Sequence, residues 1–424
     1  MNAPTSLKPP ADERVQTITL GCRLNIAESE AIRLKLDAAG HTDPLIVVNS
    51  CAVTAEAVRS TRRAIRKAKR DNPDARLVVT GCAAQIDPKS FGAMDEVDLV
   101  LGNREKGDVS SFLTPAPAKI HVTDIMQVAD TAPQLAAAFA EHARAFVEVQ
   151  NGCDHRCTFC IIPYGRGNSR SVPAGAVVEQ IQQLVDQGHK EIVLTGVDVT
   201  SYGHDLPGQP SLGHLIERIL GHVNGLSRLR LSSLDSIEID DRMFALVTQD
   251  ERVMPHLHLS LQAGDNMILK RMKRRHSREQ AIAMVERLKS ARSDIAIGAD
   301  IIAGFPTETD DMFANSLKLV DDCDIVYGHI FPYSPREGTP AARMPQLPVP
   351  LIKERAAALR EACEQRKLNF MASLIGTTQN LLVERDGMTG HAEIFAPIRL
   401  ENKATPGHIE AVTIKRIEEG TLIA

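Results

Sequence analysis

Three cysteines near the middle of the chain have the type and spacing for metal chemistry. Cys153, Cys157 and Cys160 lie in the segment NGCDHRCTFCIIPYGRG, residues 151–167, with the spacing C-x3-C-x2-C. A structural zinc site uses four ligands, often from two C-x2-C pairs, and disulfides need cysteines in pairs. The number and spacing therefore favour a site built on three thiolates.

Three more cysteines follow apolar segments in the first hundred residues. Cys22 comes after TITLG, Cys51 after VVNS and Cys82 after VVTG, so each lies just beyond a predicted strand. The carboxyl ends of parallel strands share one edge of a sheet, and ligands bind at that edge. We therefore expect these three thiols to converge in space. The alternative is that they are three buried structural cysteines.

Two sets of three thiolates indicate iron–sulfur clusters with one iron left open. A cubane cluster has four irons held by cysteine thiolates, so three cysteines leave one position for a substrate or cofactor. The alternative is a zinc-binding RNA module in which His155 supplies a fourth ligand. Cys323 and Cys363 match neither set, and we expect them to be buried packing residues.

The first 130 residues predict an open parallel α/β sheet of the Rossmann or flavodoxin type. An amphipathic segment over 25–40 and a basic segment over 59–70 favour helices between apolar runs that favour strands. Strand–helix–strand spacing implies parallel strands with right-handed crossovers. The predicted strands are 15–20, 44–50, 75–81 and 97–102.

A second series of strands and helices predicts a partial (βα)6 barrel after an Ala- and Pro-rich loop over 113–144. Six units instead of eight indicate an open barrel, with its site at the carboxyl ends of the strands, where the Cys153 loop lies. A Pro-rich connector over 341–352, a helix over 351–372 and a small β module follow. The predicted barrel strands are 145–149, 191–197, 229–234, 256–261, 297–305 and 325–333. The predicted domains are 14–130, 140–372 and 373–424.

The composition is that of a soluble globular protein, with 43% hydrophobic and 24% charged residues among 424. No apolar run has the roughly 18 residues of a membrane span, and the N-terminus lacks the apolar core of a signal peptide. We therefore expect a cytoplasmic protein with no membrane partner, where eight cysteines indicate metal or redox chemistry. The net charge of −5 argues against nucleic acid, but basic runs at 59–70 and 270–278 could contact phosphates or be solvated helix faces.

The C-x3-C-x2-C loop after a first barrel strand resembles the radical S-adenosylmethionine (SAM) superfamily. The resemblance implies that the open iron binds the amino and carboxylate groups of SAM, and that an electron from the cluster cleaves SAM to a 5′-deoxyadenosyl radical. Because Ser232 and Ser233 alternate faces, we expect at most one of them to face the ligand. The SAM contacts that the resemblance implies are Phe159 against the adenine, Thr195 and Gly196 in LTGVD, Ser233 in LSS, Gln262 after the fourth strand and Gly304 in GADIIAGFPTE.

Nearly the whole chain resembles the methylthiotransferases. The resemblance implies an auxiliary [4Fe–4S] cluster that carries the sulfur, a radical-generating [4Fe–4S] cluster, one SAM that methylates the sulfur and a second that supplies the radical. The tail loosely resembles the RNA-binding module TRAM. The segments that carry the resemblance are TLGCRLN, VVNSCAVT, VVTGCAAQ, NGCDHRCTFCIIPYGRG and SLQAGDNMILKRM. The implied ligands are Cys22, Cys51 and Cys82 for the auxiliary cluster and Cys153, Cys157 and Cys160 for the other.

Three strings resemble the branch that acts on threonylcarbamoyladenosine in tRNA, the MtaB-type enzymes: GCRLN followed by AESE, NSCAVT, and IIPYGRGNSRSVP. The resemblance implies methylthiolation of carbon 2 of the base beside the anticodon, with the tRNA anticodon stem-loop as partner and a small electron-transfer protein as reductant. A base in a single-stranded loop can be splayed out and bound in a pocket. The alternatives are the branches that act on isopentenyladenosine or on a ribosomal protein. The candidate substrate contacts are Arg166 and Arg170 near the threonyl carboxylate, and Lys415 and Arg416 in the tail.

Overall fold

The computed structural model of the protein describes residues 14–114, 118–128 and 143–424. The loop expected over 113–144, and the domain boundaries expected at 130 and 140, lie largely outside these residues. No helix in the described part of the chain is both long enough and apolar enough to cross a membrane.

The N-terminal region is a parallel sheet with the strand order β1-β2-β3-β4-β5. Its strands are β1 (Val15–Thr19), β2 (Leu45–Ser50), β3 (Arg76–Gly81), β4 (Leu99–Leu101) and β5 (Ile120–His121). Its helices are α1 (Arg23–Ala38), α2 (Ala55–Asp71), α3 (Cys82–Ile86), α4 (Pro88–Gly92) and α5 (Ser110–Leu113). Strand β2 is buried on both faces, because Val47 packs on the side of α1 and Val48 on the side of α2. The four predicted strands are confirmed, and the two-residue β5 was not predicted.

The central region is an open barrel of six parallel strands, as predicted. Two sheets, β7-β6-β8-β9 and β10-β11-β12, are joined by a parallel bridge between Leu234 and Leu259. The strands are β6 (Arg144–Asn151), β7 (Arg170–Ser171), β8 (Glu191–Gly196), β9 (Arg228–Leu231), β10 (His256–Gln262), β11 (Ala296–Ala303) and β12 (Ile325–Pro332). The helices are α6 (Ile162–Arg166), α7 (Ala174–Asp186), α8 (Leu212–His222), α9 (Asp241–Gln249), α10 (Asn266–Met272), α11 (Arg278–Ala291), α12 (Asp310–Asp322) and α13 (Val349–Ser373). Among the described strands of this region, only β7 is antiparallel to its neighbour, and it was not predicted.

Side chains along the barrel strands alternate between the surrounding helices and the barrel lumen. On β10, Leu257 and Leu259 belong to the hydrophobic core that includes the helices. The intervening His258 faces the lumen, where its Nε2 lies 2.9 Å from Asp300 Oδ1 on β11. His329 on β12 places Nδ1 3.3 Å from the same oxygen. The three polar residues therefore form one wall of the lumen.

The tail is a six-stranded sheet in the order β16-β13-β14-β15-β18-β17, which confirms the predicted β module. Its strands are β13 (Thr378–Val383), β14 (Thr389–Ala392), β15 (Pro397–Arg399), β16 (Ile409–Thr413), β17 (Arg416–Glu418) and β18 (Thr421–Ile423). Phe395 stacks on His256 at the start of β10, with ring centroids 4.8 Å apart. Arg144 at the start of β6 lies 2.8 Å from His391 Nδ1. The tail therefore closes the end of the barrel at which the strands begin.

Candidate metal and substrate site

Cys22, Cys51 and Cys82 lie at one edge of the N-terminal sheet, beyond the carboxyl ends of β1, β2 and β3. A side-chain carbon placed on Gly21 would come within 3.1 Å of the Cys51 sulfur, so the first two loops touch. Burial raises the pKa of Cys51 to about 12, and charges on Cys82 and Cys22 add to the rise. The structure therefore brings the three thiols together.

Two polar residues that sequence analysis missed tie these three loops together. Asn25 Nδ2 donates to the carbonyl oxygens of Leu20 at 2.6 Å and Ser50 at 3.2 Å. Ser50 Oγ donates to the Thr80 carbonyl at 2.5 Å and accepts from the Ala84 N–H at 3.2 Å. The one sequence signal was an asparagine in the first turn of a predicted helix, where this residue type is disfavoured unless its side chain has a local partner.

The second set of cysteines lies in the loop that follows β6, residues 153–160. The Cys153 N–H donates to the Gly167 carbonyl at 3.0 Å. At the other end, Thr158 Oγ1 donates to the Arg271 carbonyl at 2.7 Å. The loop is therefore held from both sides at the carboxyl end of the barrel.

The spacing of the thiols is too wide for a single zinc ion. A tetrahedral zinc with Zn–S bonds of about 2.3 Å brings its sulfur ligands within about 3.8 Å of each other. In the described residues, no group of three metal-ligating atoms within 4.8 Å of one another includes a cysteine. One ring nitrogen of His155 is already bonded, since Nε2 lies 3.0 Å from Asp198 Oδ2. The donor sets fit a cluster of several irons between thiolates better than mononuclear zinc.

Each set of thiols has an arginine directed at one sulfur. Arg166 Nε lies 3.1 Å from Cys82 Sγ. Arg274 Nη1 lies 3.8 Å from Cys157 Sγ, and its other amino group donates to Asp235 Oδ2 at 2.9 Å. A guanidinium beside a sulfur stabilises the thiolate, which is the form that binds metal.

Arg166 does not point outward, so the prediction that it contacts the substrate is not supported by its geometry. Its buried Nη2 donates to Glu28 Oε2 at 3.0 Å and Asn25 Oδ1 at 2.5 Å, and Nη1 also pairs with Glu28. Lys106 Nζ lies 2.6 Å from the same carboxylate. Burial alone would raise the pKa of Glu28, but Arg166 and Lys106 lower it to about 2. Arg166 is thus a positioning residue beside Cys82.

The two sets of thiols lie near each other because α3 packs against α6. Gly165 in α6 lies so close to Cys82 that an added side-chain carbon would be 3.1 Å from Cys82 Cβ. Asn103 Nδ2 donates to the Gly165 carbonyl at 2.5 Å. Burial raises the pKa of Cys160 to about 12, with smaller contributions from charges on Cys157 and Cys82.

Besides Arg166, another arginine lies beside the first set of thiols, and sequence analysis did not identify it. The Ala55 N–H donates to Ser334 Oγ at 3.3 Å, which brings the segment after β12 against the Cys51 loop. Arg336 in this segment is close enough to Cys51 for their charges to interact. Its Nε is buried without a hydrogen-bond partner in the described part of the chain.

The other predicted substrate arginines and lysine are already occupied. Arg170 Nη2 donates to the backbone carbonyl of Arg166 at 2.9 Å. In the tail, Lys415 Nζ lies 2.6 Å and Arg416 Nη1 2.7 Å from Glu401. These side chains are therefore held by the protein itself.

The basic run at 270–278 is largely neutralised by one buried carboxylate. Arg274, Arg275 and His276 all approach Asp235, at 2.9, 3.2 and 3.5 Å. Burial alone would raise the pKa of Asp235, but these neighbours lower it to about 2. Two exposed lysines of the run have no ion-pair partner in the residues that the structure describes: Lys270 and Lys273.

The basic run at 59–70 lies on α2. Arg59 and Arg63 both pair with Glu56, which leaves this end of the helix only weakly cationic. Lys67 is exposed and has no ion-pair partner within the described ranges. Of the two alternatives for this run, phosphate contacts or a solvated helix face, the solvated helix face accounts for most of its residues.

The predicted SAM contacts lie around the mouth of the barrel. Phe159 packs edge-on against Phe305, with ring centroids 6.5 Å apart. Thr195 is buried near the end of β8. Two of the others also lie at strand ends, and the third follows a strand: Gly196 in β8, Gln262 in β10 and Gly304 after β11.

Of the two serines after β9, the structure favours the one that was not selected. Ser233 is exposed, whereas Ser232 is buried and its Oγ has no hydrogen-bond partner among the described residues. Ser232 therefore offers an unsatisfied hydroxyl at the strand end. The alternation of faces was clear from the sequence, but the register that decides between the two serines was not.

Replacing Gly152 with alanine is expected to displace the Cys153 loop. Gly152 has φ +73°, and an added Cβ would lie 1.9 Å from the Asn168 carbonyl oxygen. The loop must shift, so we expect reconstituted protein to fall from about eight to about four irons per chain. The measurement is iron content with the visible absorption of the clusters. Gly175→Ala on α7, where a Cβ meets nothing within 4 Å, is the control, and full iron in Gly152→Ala would contradict the prediction.

Glu148 is expected to make stability fall as pH rises. This buried carboxyl of β6 lines a cavity of about 550 Å3, and its Oε2 has no partner among the described residues. Burial, with a contribution from Glu28, raises its pKa from 4.5 to about 7. Between these values the folded protein holds a proton that the unfolded chain has lost, so the free energy of unfolding decreases with pH.

Glu148→Gln removes this dependence. We expect the variant to be more stable than the parent at pH 8, by about 2–3 kcal/mol, and to show no such gain at pH 4.5. Thermal unfolding of the anaerobic holoprotein at both pH values measures it. An equal shift at both pH values would mean that the carboxyl is not protonated in the folded state.

Two family models match the chain. Residues 147–320 match the radical SAM superfamily, and residues 14–102 match a family described as "Uncharacterized protein family UPF0004". The first match covers most of the barrel and the second the N-terminal sheet.

The chain is also similar to individual proteins, among them two relatives and one solved structure. The threonylcarbamoyladenosine tRNA methylthiotransferase MtaB of Rickettsia prowazekii (strain Madrid E) is 51% identical over 407 residues, 96% of each chain. The tRNA-2-methylthio-N(6)-dimethylallyladenosine synthase of Cereibacter sphaeroides (strain ATCC 17025 / ATH 2.4.3) is 33% identical over 93% of this chain and 94% of its own. The radical SAM methyltransferase TsrM of Kitasatospora setae, solved with tryptophan and a SAM analog, has a TM-score of 0.54 and 16% identity over 75% of this chain and 68% of its own. This last likeness concerns the fold alone.

Proposed function

Because the chain belongs to the MtaB family of threonylcarbamoyladenosine tRNA methylthiotransferases, we propose that its six clustered cysteines hold the two [4Fe–4S] clusters of this chemistry. The protein is a radical SAM enzyme that methylthiolates threonylcarbamoyladenosine in tRNA, and the function predicted from the sequence is confirmed. One observation carries the residue assignment: α3 packs on α6, so that Cys82 lies against Gly165, five residues after Cys160.

The clusters and SAM, when bound, supply the electron, the radical that attacks an aromatic C–H bond, and the sulfur and methyl group to be transferred. The chain's own residues hold and orient these groups. Arg166 and Arg274 each place a positive charge beside one sulfur, Cys82 in the first set and Cys157 in the second. Asn25 and Ser50 hold the loops of the first set at a common edge.

We propose that SAM binds across the carboxyl ends of the barrel strands. Phe159 offers a ring for the adenine, and Thr195 and Gln262 offer polar groups from β8 and β10. The unsatisfied hydroxyl of Ser232 takes the role first expected of Ser233. Gly196 and Gly304, next to β8 and β11, let the backbone approach the ligand.

The substrate is tRNA, and its anticodon stem-loop is the part we propose to be bound. Lys67, Lys270 and Lys273, which are exposed and have no ion-pair partner among the described residues, are candidate phosphate contacts. We propose that a small electron-transfer protein is the reductant and that the enzyme works in the cytoplasm, where tRNA is abundant. We propose that the chain has three functional domains. Residues 14–130 hold the auxiliary cluster, residues 140–372 form the radical SAM core, and residues 373–424 bind RNA.

The alternatives are less well supported. The identity to the isopentenyl-type relative is 33%, against 51% to the threonylcarbamoyl-type relative. A ribosomal-protein substrate predicts activity without tRNA. A zinc-binding module predicts a colourless protein, whereas iron–sulfur protein is brown.

The test is mass spectrometry of tRNA nucleosides from cells without this gene, with and without its restoration. We expect 2-methylthio-threonylcarbamoyladenosine to disappear and to return only when Cys22 and Cys153 are intact. An unchanged nucleoside would refute the substrate assignment. A nucleoside restored equally by the cysteine variants would refute the cluster assignment.

A further inference from the structure

One arginine in the barrel lumen lacks the partner that its neighbours have. Arg23 is the first residue of α1, directly after Cys22, and it is half-buried. Its guanidinium carbon lies 5.4 Å from the ring centroid of Phe395, the residue that closes the base of the barrel. The side chain therefore runs from the edge of the first cysteine set into the lumen.

Three guanidinium groups surround the Phe395 ring, and two of them are paired. The guanidinium carbon of Arg230 lies 5.0 Å from the ring, and its Nε and Nη2 donate to Glu191 at 2.9 and 3.1 Å. That of Arg144 lies 5.6 Å from the ring, and it pairs with Glu384. The guanidinium of Arg23 makes no hydrogen bond or ion pair with any residue that the structure describes.

The carboxylates within electrostatic reach of Arg23 are already engaged. Glu191 is held by Arg230, and Asp300 accepts from His258 and lies 3.3 Å from His329. A partly buried guanidinium without a counter-ion has lost hydration that no protein group replaces, so an anion is favoured at this position. The substrate named above carries one, because the threonylcarbamoyl group ends in the threonyl carboxylate.

We propose that Arg23 binds the carboxylate of the threonylcarbamoyl group and thereby selects this modification. This inference rests on the proposed function and names the specificity residue of the same site. The base must present carbon 2 to the cysteine edge, and its N6 substituent then extends away from that edge. The Arg23 side chain also extends away from the cysteine edge, from its backbone beside Cys22 towards Phe395. Its guanidinium can form two parallel hydrogen bonds with a carboxylate. An isopentenyl group, which has no charge, would leave the guanidinium unpaired.

Two other arginines near the cysteines have a buried Nε without a hydrogen-bond partner among the described residues: Arg274 and Arg336. Arg274 lies beside Cys157 and is held by Asp235. Arg336 is also placed for another role. It lies beside Cys51, where its charge favours a thiolate. The polar wall of His258, Asp300 and His329 faces the lumen instead. Arg23 is therefore the arginine placed for the far end of the substituent.

The test compares two anticodon stem-loops, one with threonylcarbamoyladenosine and one in which the threonyl carboxylate is a neutral primary amide. We expect the parent enzyme to prefer the carboxylate by about 100-fold in kcat/KM, mostly through KM, and Arg23→Gln to lose this preference. Arg23→Lys should retain part of it. Dissociation constants of both stem-loops, measured without reductant, give a readout that does not depend on turnover.

Arg242→Gln, an exposed arginine on α9 that pairs with Glu217, is the matched control and should behave as the parent. Iron content and the visible spectrum show whether each variant is loaded. The proposal is overturned if Arg23→Gln weakens both substrates equally, weakens neither, or if Arg336→Gln instead abolishes the preference. A parent enzyme that methylthiolates neither stem-loop would refute the proposed function, whereas one that accepts both equally would refute only the role of Arg23.

Discussion

Replacing Cys82 with alanine should abolish methylthio transfer while SAM cleavage continues. Cys82 begins α3 in the first set of thiols, whereas SAM is assigned to the Cys153 loop. We expect iron to fall from about eight to about four atoms per chain, because one cluster loses a ligand and the other keeps all three. Anaerobic assays of 5′-deoxyadenosine and of methylthiolated stem-loop, made on the same sample, separate the two activities.

Cys157→Ala should instead abolish both activities, because without 5′-deoxyadenosyl radical formation neither 5′-deoxyadenosine nor methylthiolated stem-loop is produced. Cys323→Ala is the control, because this buried cysteine packs in the barrel core and belongs to neither set. If Cys82→Ala keeps the full iron content and transfers the methylthio group, the first set is not a cluster site. If it also stops SAM cleavage, the two sets are not independent.

Replacing Glu28 with glutamine is expected to destabilise the contact between the N-terminal sheet and the barrel. Glu28 pairs with Arg166 and Lys106, and all three side chains are buried. Removing its charge leaves two cations buried without a counter-ion, which typically costs about 3–5 kcal/mol. Because Arg166 also touches Cys82, we expect the auxiliary cluster to be lost first on heating.

The measurement is thermal unfolding of the anaerobic holoprotein, followed by far-ultraviolet circular dichroism and by cluster absorption. Glu56→Gln is the control, since this carboxylate pairs with Arg59 and Arg63 on the exposed face of α2, and its loss should leave both transitions unchanged. Equal stability of Glu28→Gln and the parent would show that the buried network does not hold the two regions together.

The elements of the fold were predictable because their signals are local. Buried parallel strands are continuous apolar runs, as in LIVVNS of β2, and a helix such as α2 has enough turns to show its period. The two-residue strands β5 and β7 have no such signal, since their pairing depends on neighbours already in place. Cysteines at strand ends were likewise visible from the sequence, because each directly follows its strand.

The substrate side of the site was less predictable, because it depends on partners distant in sequence. Arg166 lies next to the cysteine loop in sequence, but its partner Glu28 is 138 residues away on α1. The run at 270–278 looks cationic until Asp235 is placed among its arginines. Arg23 carried no special signal, since only the tertiary structure shows that it alone among the arginines around Phe395 lacks a carboxylate partner within the described part of the chain.

The hydrogen bond between Ala55 and Ser334 can form only late in the synthesis of the chain. It joins positions 279 residues apart, and through it the Cys51 loop is covered by the segment after the last barrel strand. A ribosome adds about 5–20 residues per second, so the first three cysteines emerge roughly 10–50 s before that segment exists. Nascent chains therefore expose these thiols before the covering segment exists, and we expect the proposed auxiliary cluster to be inserted after the barrel has been translated.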